Sequence, residues 1–266
     1  MTAATGLPAD WLDGLARRLD QPPARPRRPL CWRGTPIGSV DPAFLDALPP
    51  AARRCLLEDR QDGTRAVALD SRDLTAVLAD LALHMREAGL ASAWRDEQLA
   101  VTVAGEVLGT VERAAVRPLG IATQAVHLAG RTPDGRHWVQ QRALDKPNDP
   151  GLWDTLMGGM VPATDTPQMA LARETWEEAG LHLDQLVDLE WGGRFLRRGP
   201  SSSTGLGYVV ETVDWYRCVV PDGVTPCNQD GEVAQFALLQ PAELRQELLR
   251  GRFTLEAEAV LAATGA

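Results

Sequence analysis

The chain has 266 residues, 44% of them apolar and 24% charged, with 27 Lys and Arg against 36 Asp and Glu and a formal net charge of −9. That length buries one large core or two smaller ones. The acidic balance argues against nucleic acid and anionic membranes as partners, because both require a basic surface.

The most apolar run, Leu74 to Met85, is broken by Asp80 and His84 and falls short of the roughly 18 residues of a membrane helix. Met1 to Leu30 has no apolar segment of the secretory type. Cys31, Cys55, Cys218 and Cys227 form no CxxC pair, which predicts reduced thiols and a cytoplasmic setting.

In chain order, residues 9–19 predict an amphipathic helix with Trp11, Leu12, Leu15 and Leu19 on one stripe. Gln21 to Arg28, rich in Pro and Arg, reads as a linker. Leu30 to Val40 reads as a strand pair turning near Gly34. A helix to Leu48 follows, with Asp41 as N-cap and Pro42 in its first turn. Thr64 to Leu69 is a strand. Ser71 to Ala88 is a helix capped by Ser71 and stopped by Gly89. Leu99 to Val103 and Val107 to Val111 alternate as a hairpin. Nothing in this half forms a chemical motif.

Beyond Pro118, Ile121 to Leu128 and His137 to Arg142 read as strands joined through Pro133-Asp134-Gly135. Thr155 to Val161 is short and apolar with a glycine pair, and Thr166 to Ala179 is a helix stopped by Gly180. Strands follow from Phe195 onward, over Tyr208 to Val219 and over Val233 to Leu239, with a Ser-rich, mobile-looking link at 201–205. Helices over Pro241 to Leu249 and Leu255 to Ala263 close the chain. This mixture predicts an α/β or α+β layered domain of about 150 residues.

The informative stretch runs from Gly158-Gly159 to Arg173-Glu174-Thr175-Trp176-Glu177-Glu178-Ala179-Gly180-Leu181. On the helix, Glu174, Glu177 and Glu178 stand at i, i+3 and i+4, so three carboxylates share one face and repel. A divalent cation would offset the repulsion, and clustered carboxylate oxygens suit Mg²⁺ or Mn²⁺. Taken alone, the three glutamates read better as a solvated acidic face; the residues spaced around them reverse that.

The segment resembles the Nudix box: Gly159, Arg173, Glu174, Glu177, Glu178, Gly180 and Leu181 match in register, seven of its nine specified positions. Asp165 stands where the pattern has Glu, and Thr175 where it has an aliphatic residue. The resemblance implies a Nudix α/β/α sandwich with a mixed sheet over residues 116–266. It further implies hydrolysis of a small-molecule diphosphate with Mg²⁺ or Mn²⁺. Glu174, Glu177 and Glu178 would bind metal, Arg173 would orient a carboxylate, and Gly159 would serve as a further ligand or hinge. The base would be Glu174 or, outside the box, Glu232.

A second resemblance rests on Arg142 to Lys146, Pro150-Gly151-Leu152-Trp153-Asp154, Cys31-Trp32-Arg33-Gly34, Asp41 to Phe44, Trp94 to Glu97 and Val111 to Ala115. It is similar to the Nudix branch related to the N-terminal part of thiamine pyrophosphokinase proteins. That branch implies an accessory α+β domain over residues 1–115 and cleavage of thiamine diphosphate or its damaged analogues to the monophosphate. Arg142 and Lys146 would meet phosphate. The tryptophans nearest the box, Trp153 and Trp176, could stack on a heterocycle or simply pack.

Three rival readings share the box: an isopentenyl diphosphate isomerase, which needs a reactive cysteine that Ala115 to Thr175 lacks; a non-catalytic binding module; and a hydrolase of nucleotide-type diphosphates. A homodimer is neither required nor excluded by the sequence.

Overall fold

The computed structural model describes residues 6–61, 64–91, 93–201 and 205–265. Helix α1 (Ala9–Leu19) turns Leu15 inward, flanked by half-buried Trp11, Leu12 and Leu19. It packs far along the chain, against the helices near the C-terminal end, and shares their core.

An N-terminal module, to whose core α1 does not contribute, begins with β1 (Arg28–Trp32), β2 (Thr35–Val40), α2 (Pro42–Ala47), α3 (Pro50–Arg53), β3 (Leu56–Gln61) and β4 (Thr64–Leu69). The strands form one sheet in the order β2-β1-β4-β3, with β1 and β4 parallel. Asp41 caps α2 by accepting the Ala43 N–H at 2.8 Å. Helix α4 (Leu74–Glu87) follows, then the hairpin of β5 (Gln98–Val103) and β6 (Glu106–Glu112). Leu78, Leu81 and Met85 of α4 pack with Leu30, Phe44, Leu99 and Val111 in a single core.

The cap of α4 is Asp73, not Ser71. Asp73 accepts the Ala76 N–H at 3.1 Å, whereas Ser71 accepts the Asp73 N–H at 3.0 Å and so stabilises the turn before the helix. Strand β3 was not expected. Its Glu58, Asp59 and Arg60 hide any apolar alternation, as edge strands commonly do.

The second module holds β7 (Thr123–Arg131), β8 (His137–Arg142), β9 (Trp153–Asp154), β10 (Met157–Met160) and α5 (Pro167–Ala179). It continues with β11 (Val187–Pro200), β12 (Tyr208–Val219), β13 (Val233–Leu239), α6 (Pro241–Leu249) and α7 (Leu255–Ala263). The sheet runs β11-β12-β7-β8-β13 and is mixed, since β12 and β7 are parallel and the other pairs antiparallel. On its other edge β7 is shared: β10 pairs with Ala125 to Leu128, and β8 pairs with Gly130 and Arg131.

Alternation along β7 sends Val126 and Leu128 into a core with Leu171 and Ala179 of α5, and Ala129 to the opposite face with Val260 of α7. Helices thus cover both faces, which is the expected α/β/α sandwich. Strand β11 begins eight residues before Phe195. Register shifts and the glycines 192 and 193, which lie against the Trp215 ring, interrupt its alternation. Residues 202–204 of the Ser-rich link lie outside the described residues. No helix among the described residues is long and apolar enough to cross a membrane.

Candidate active site

An open cleft of about 710 Å³ lies where α5, β7, β10 and the start of α7 meet. Thr166 starts α5 by accepting the Met169 N–H at 3.2 Å, and Gly180 ends it in the left-handed conformation, φ 62°. That fixes which face of α5 meets the sheet: Glu174 and Glu178 are buried and line the cleft.

Glu178 Oε2 accepts the Gly158 N–H at 3.0 Å and Gln140 Nε2 at 2.7 Å. The other amide atom, Gln140 Oε1, is buried without a hydrogen-bond partner among the described residues. Burial, and then the negative charge of Glu174, push the Glu178 carboxyl up to about 8, against those two hydrogen bonds. Burial pushes Glu174 up to about 7, against the pull of Arg173.

Arg173 lies 3.0 Å from Glu174, 2.8 Å from Glu177 and 3.1 Å from Asp165. Asp165 therefore anchors the arginine despite its shorter reach. Glu177 does not line the cleft; its side chain is 41% exposed and held by Arg173.

The glycine pair makes room. A Cβ on Gly159 would fall 2.2 Å from Cδ of Glu174, and one on Gly158 would fall 2.6 Å from the His127 ring. His127 lines the cleft 3.5 Å from Asp154 Oδ1 and 3.1 Å from Thr155 Oγ1. Burial alone would lower the His127 pKa, but Asp154 raises it on balance. Arg142 Nη1 lies 3.6 Å from the other Asp154 oxygen, and its guanidinium also donates to the Asn148 carbonyl.

Lys146 and Glu232 form an ion pair at the cleft wall, and Glu232 Oε1 also accepts from Arg95 Nη1 at 3.1 Å. Burial raises the Glu232 carboxyl, but Lys146, Arg95 and Arg113 outweigh it and hold it below the usual range. Arg197, paired with Glu256, closes the far wall.

The cleft thus brings together Glu174, Glu178, Gly159, Arg142, Lys146 and Glu232, with Arg173 behind them and Glu177 turned away. Sequence reasoning gave no role to His127, Gln140, Glu211, Glu256 or Arg197. They are isolated residues with no spacing to mark them; Asp154 at least lay in a quoted motif. Neither expected stacking tryptophan lines the cleft: Trp153 packs with the helical core, and Trp176 stacks on His182 at the surface, centroids 4.5 Å apart.

Oxygen donors on two buried carboxylates fit a hard divalent cation. Mg²⁺ in particular is held by one or two carboxylates together with water and substrate phosphates. Among the described residues, no three Asp, Glu, His or Cys side chains converge into a complete cage. The unmet Gln140 oxygen and the raised carboxyls mark a place short of positive charge.

A mixed sheet between helices, with this box glutamate pair at a polar cleft, defines a class of protein that comparisons identify. The NUDIX domain model matches residues 122–261, over half of the chain, and the chain belongs to the Nudix family. It is 28% identical over 206 residues to Nudix hydrolase 20, chloroplastic, of Arabidopsis thaliana, covering 73% of this chain and 54% of that protein. It is also 30% identical over 151 residues to an isopentenyl-diphosphate Delta-isomerase of Streptomyces coelicolor, covering 56% of this chain and 74% of the relative. The crystal structure of DR0079 from Deinococcus radiodurans shares the fold, with a TM-score of 0.50 and 22% identity, over 63% of this chain and 99% of that one. The chain spans about half the length of the plant relatives it matches.

Proposed function

We propose that this chain is a divalent-metal-dependent diphosphate hydrolase. The observation that carries the reading is the pair of buried carboxylates, Glu174 and Glu178, facing a cleft also lined by Arg142 and Lys146. Mg²⁺ or Mn²⁺ held by these two carboxylates would offset phosphate charge and make a water easier to deprotonate.

The chain's own residues do the rest. Gly158 N–H and Gln140 fix one Glu178 oxygen, so the carboxylate cannot rotate away. Arg142 and Lys146 meet phosphate oxygens. Glu174 takes the proton of the attacking water. Arg173 holds its Oε1 at 3.0 Å, and no hydrogen bond engages its Oε2 among the described residues. Glu232 is the poorer base, since Lys146 and Arg95 occupy both of its oxygens.

Thiamine diphosphate and its damaged analogues come first among substrates, supported by the branch resemblance; nucleotide-type diphosphates come second. The isomerase relatives favour a third reading, but no cysteine lines the cleft, and Cys55 and Cys218 are buried thiols pushed up to about 11 and about 12. The reduced, cytoplasmic setting belongs to the same proposal.

The test is a panel of thiamine diphosphate, oxidised thiamine diphosphate, nucleotide sugars and isopentenyl diphosphate, with and without Mg²⁺. Monophosphate release that requires the metal is expected. Isomerised product, or no turnover of any diphosphate, rejects the reading.

A further inference from the structure

Beside the cleft lies a second pocket of about 580 Å³, built largely by residues outside the family domain. Arg95, Arg113 and Arg117 line it; Arg113 and Arg117 line the main cleft as well, so the two spaces adjoin. The remaining walls are Asn148 and small or apolar side chains such as Ala114 and Pro147, with no aromatic ring. A wall of three guanidinium groups suits a phosphate, whose oxygens match the planar fork of donors.

The three arginines are not equally neutralised. Arg113 pairs with Glu97 at 2.7 Å, and Arg95 with Glu232 at 3.1 Å. Arg117 has no carboxylate within 4.0 Å among the described residues; its one side-chain partner is the Asn148 amide oxygen at 3.1 Å. Its guanidinium is half-buried and has no ion-pair partner among the described residues, so an anion entering this space would meet it directly.

The scaffold around it is fixed. The buried carboxylate of Glu112 accepts the Arg95 N–H at 3.1 Å and the Ala114 N–H at 3.3 Å, tying the loop that carries Arg95 to the turn that carries Arg113. The Arg117 carbonyl accepts the Tyr208 N–H at 2.9 Å, which ties its backbone to the start of β12, an inner strand of the large sheet. The positive charge of Arg113 also reaches Glu174 and Glu232; it adds to the lowering of Glu232 and only partly opposes the rise that burial imposes on Glu174.

We propose that Arg117, flanked by Arg95 and Arg113, is a phosphate-binding subsite that the N-terminal module adds to the cleft. It rests on the hydrolase reading for its biological use, but binding tests it alone. The phosphate has two sources: the diphosphate to be cleaved, or a separate phosphate on the group it is attached to.

Calorimetry on the full chain in EDTA, so that no turnover occurs, uses inorganic pyrophosphate, NAD and NADP as probes. NAD and NADP are both diphosphates and differ by one added phosphate. Arg117→Ala should weaken pyrophosphate at least about tenfold, a loss within the range of a charge-assisted contact, and Arg117→Lys should restore part of it. Arg217→Ala, whose arginine pairs with Glu190 on the exposed surface, should change nothing.

Equal weakening of NAD and NADP places the cleaved diphosphate in the subsite. Weakening of NADP alone places a separate phosphate there. Wild-type protein that binds none of the probes, or an Arg117→Ala protein that binds them as wild type does, overturns the subsite and leaves metal-dependent hydrolysis untouched. Absence of hydrolysis with intact, Arg117-dependent binding rejects the hydrolase reading and leaves the subsite.

Discussion

Residues 122–261 bring to the cleft two glutamates from one helix, at a spacing that the sequence displays openly. Residues 93–118 bring three arginines from a loop and a short turn that follow no repeat. In the proposed function the first region supplies the reacting centre, and in the proposed subsite the second supplies charge to hold what reacts. Arg95 and Arg113 lie within segments of the second resemblance, but nothing in their spacing shows that they meet Arg117 in one wall, because that meeting is tertiary.

The sharpest cut across that comparison is Glu178→Gln. It keeps the shape of the side chain but removes a buried anionic oxygen donor, so turnover should fall at least about a hundredfold with substrate affinity little changed. A variant that turns over as wild type does would mean the chemistry lies elsewhere.

Gly159→Ala comes next. The added methyl would fall 2.2 Å from the Glu174 carboxyl carbon, and that carboxylate is buried and held by Arg173 at 3.0 Å. Overpacking of this kind costs about 1–3 kcal/mol. The melting temperature should drop by several degrees and the rate by tenfold or more. A variant matching wild type in both would show that Glu174 can stand elsewhere.

The third effect is one of pH. Folded Glu174 and Glu178 titrate near 7 and 8, against an ordinary 4.5. Between 4.5 and 8 the folded chain therefore holds more protons than the unfolded one, so these two groups lower stability as pH rises through that window. In EDTA, Glu178→Gln should melt higher than wild type at pH 8, by on the order of a few kcal/mol of stability, and the gap should close toward pH 4.5. Added Mg²⁺ should raise the wild-type midpoint at pH 8 and move the variant less. A gap that is constant across pH would remove burial of charge as its cause.

The smallest effect concerns the link between regions. Glu232 joins Arg95 of the first module to Lys146 of the second. Glu232→Gln should shift KM several-fold while kcat falls less than about tenfold, below what loss of a general base usually costs. A larger fall in kcat would return Glu232 to the role of proton acceptor.

Much of the architecture could be read from periodicity. Strand β13 and helices α6 and α7 lie where the pattern puts them, and the core face of α4 is the one its leucines mark. Thr175 looked like a departure from the motif, yet it is fully buried and returns its hydroxyl to the Leu171 carbonyl at 2.6 Å, so it packs in an apolar setting without an unmet donor. What could not be read depends on distance along the chain. Nothing local in Ala9–Leu19 says that it will rest on α7, and nothing beside His127 announces Asp154 or Glu256. Charge pairs formed across more than 20 residues leave no spacing to detect.

The two adjoining glycines of β10 have one more consequence. Neighbouring positions on a strand look to opposite sides, so the space left by Gly158 admits an imidazole from the α7 side, and the space left by Gly159 admits a carboxylate from α5. One dipeptide is thereby a window through the layer, letting groups rooted on both sides share a single chamber. Closing either pane with a methyl group blocks one side and spares the other, so a pair of alanine variants can tell which side each kinetic step belongs to.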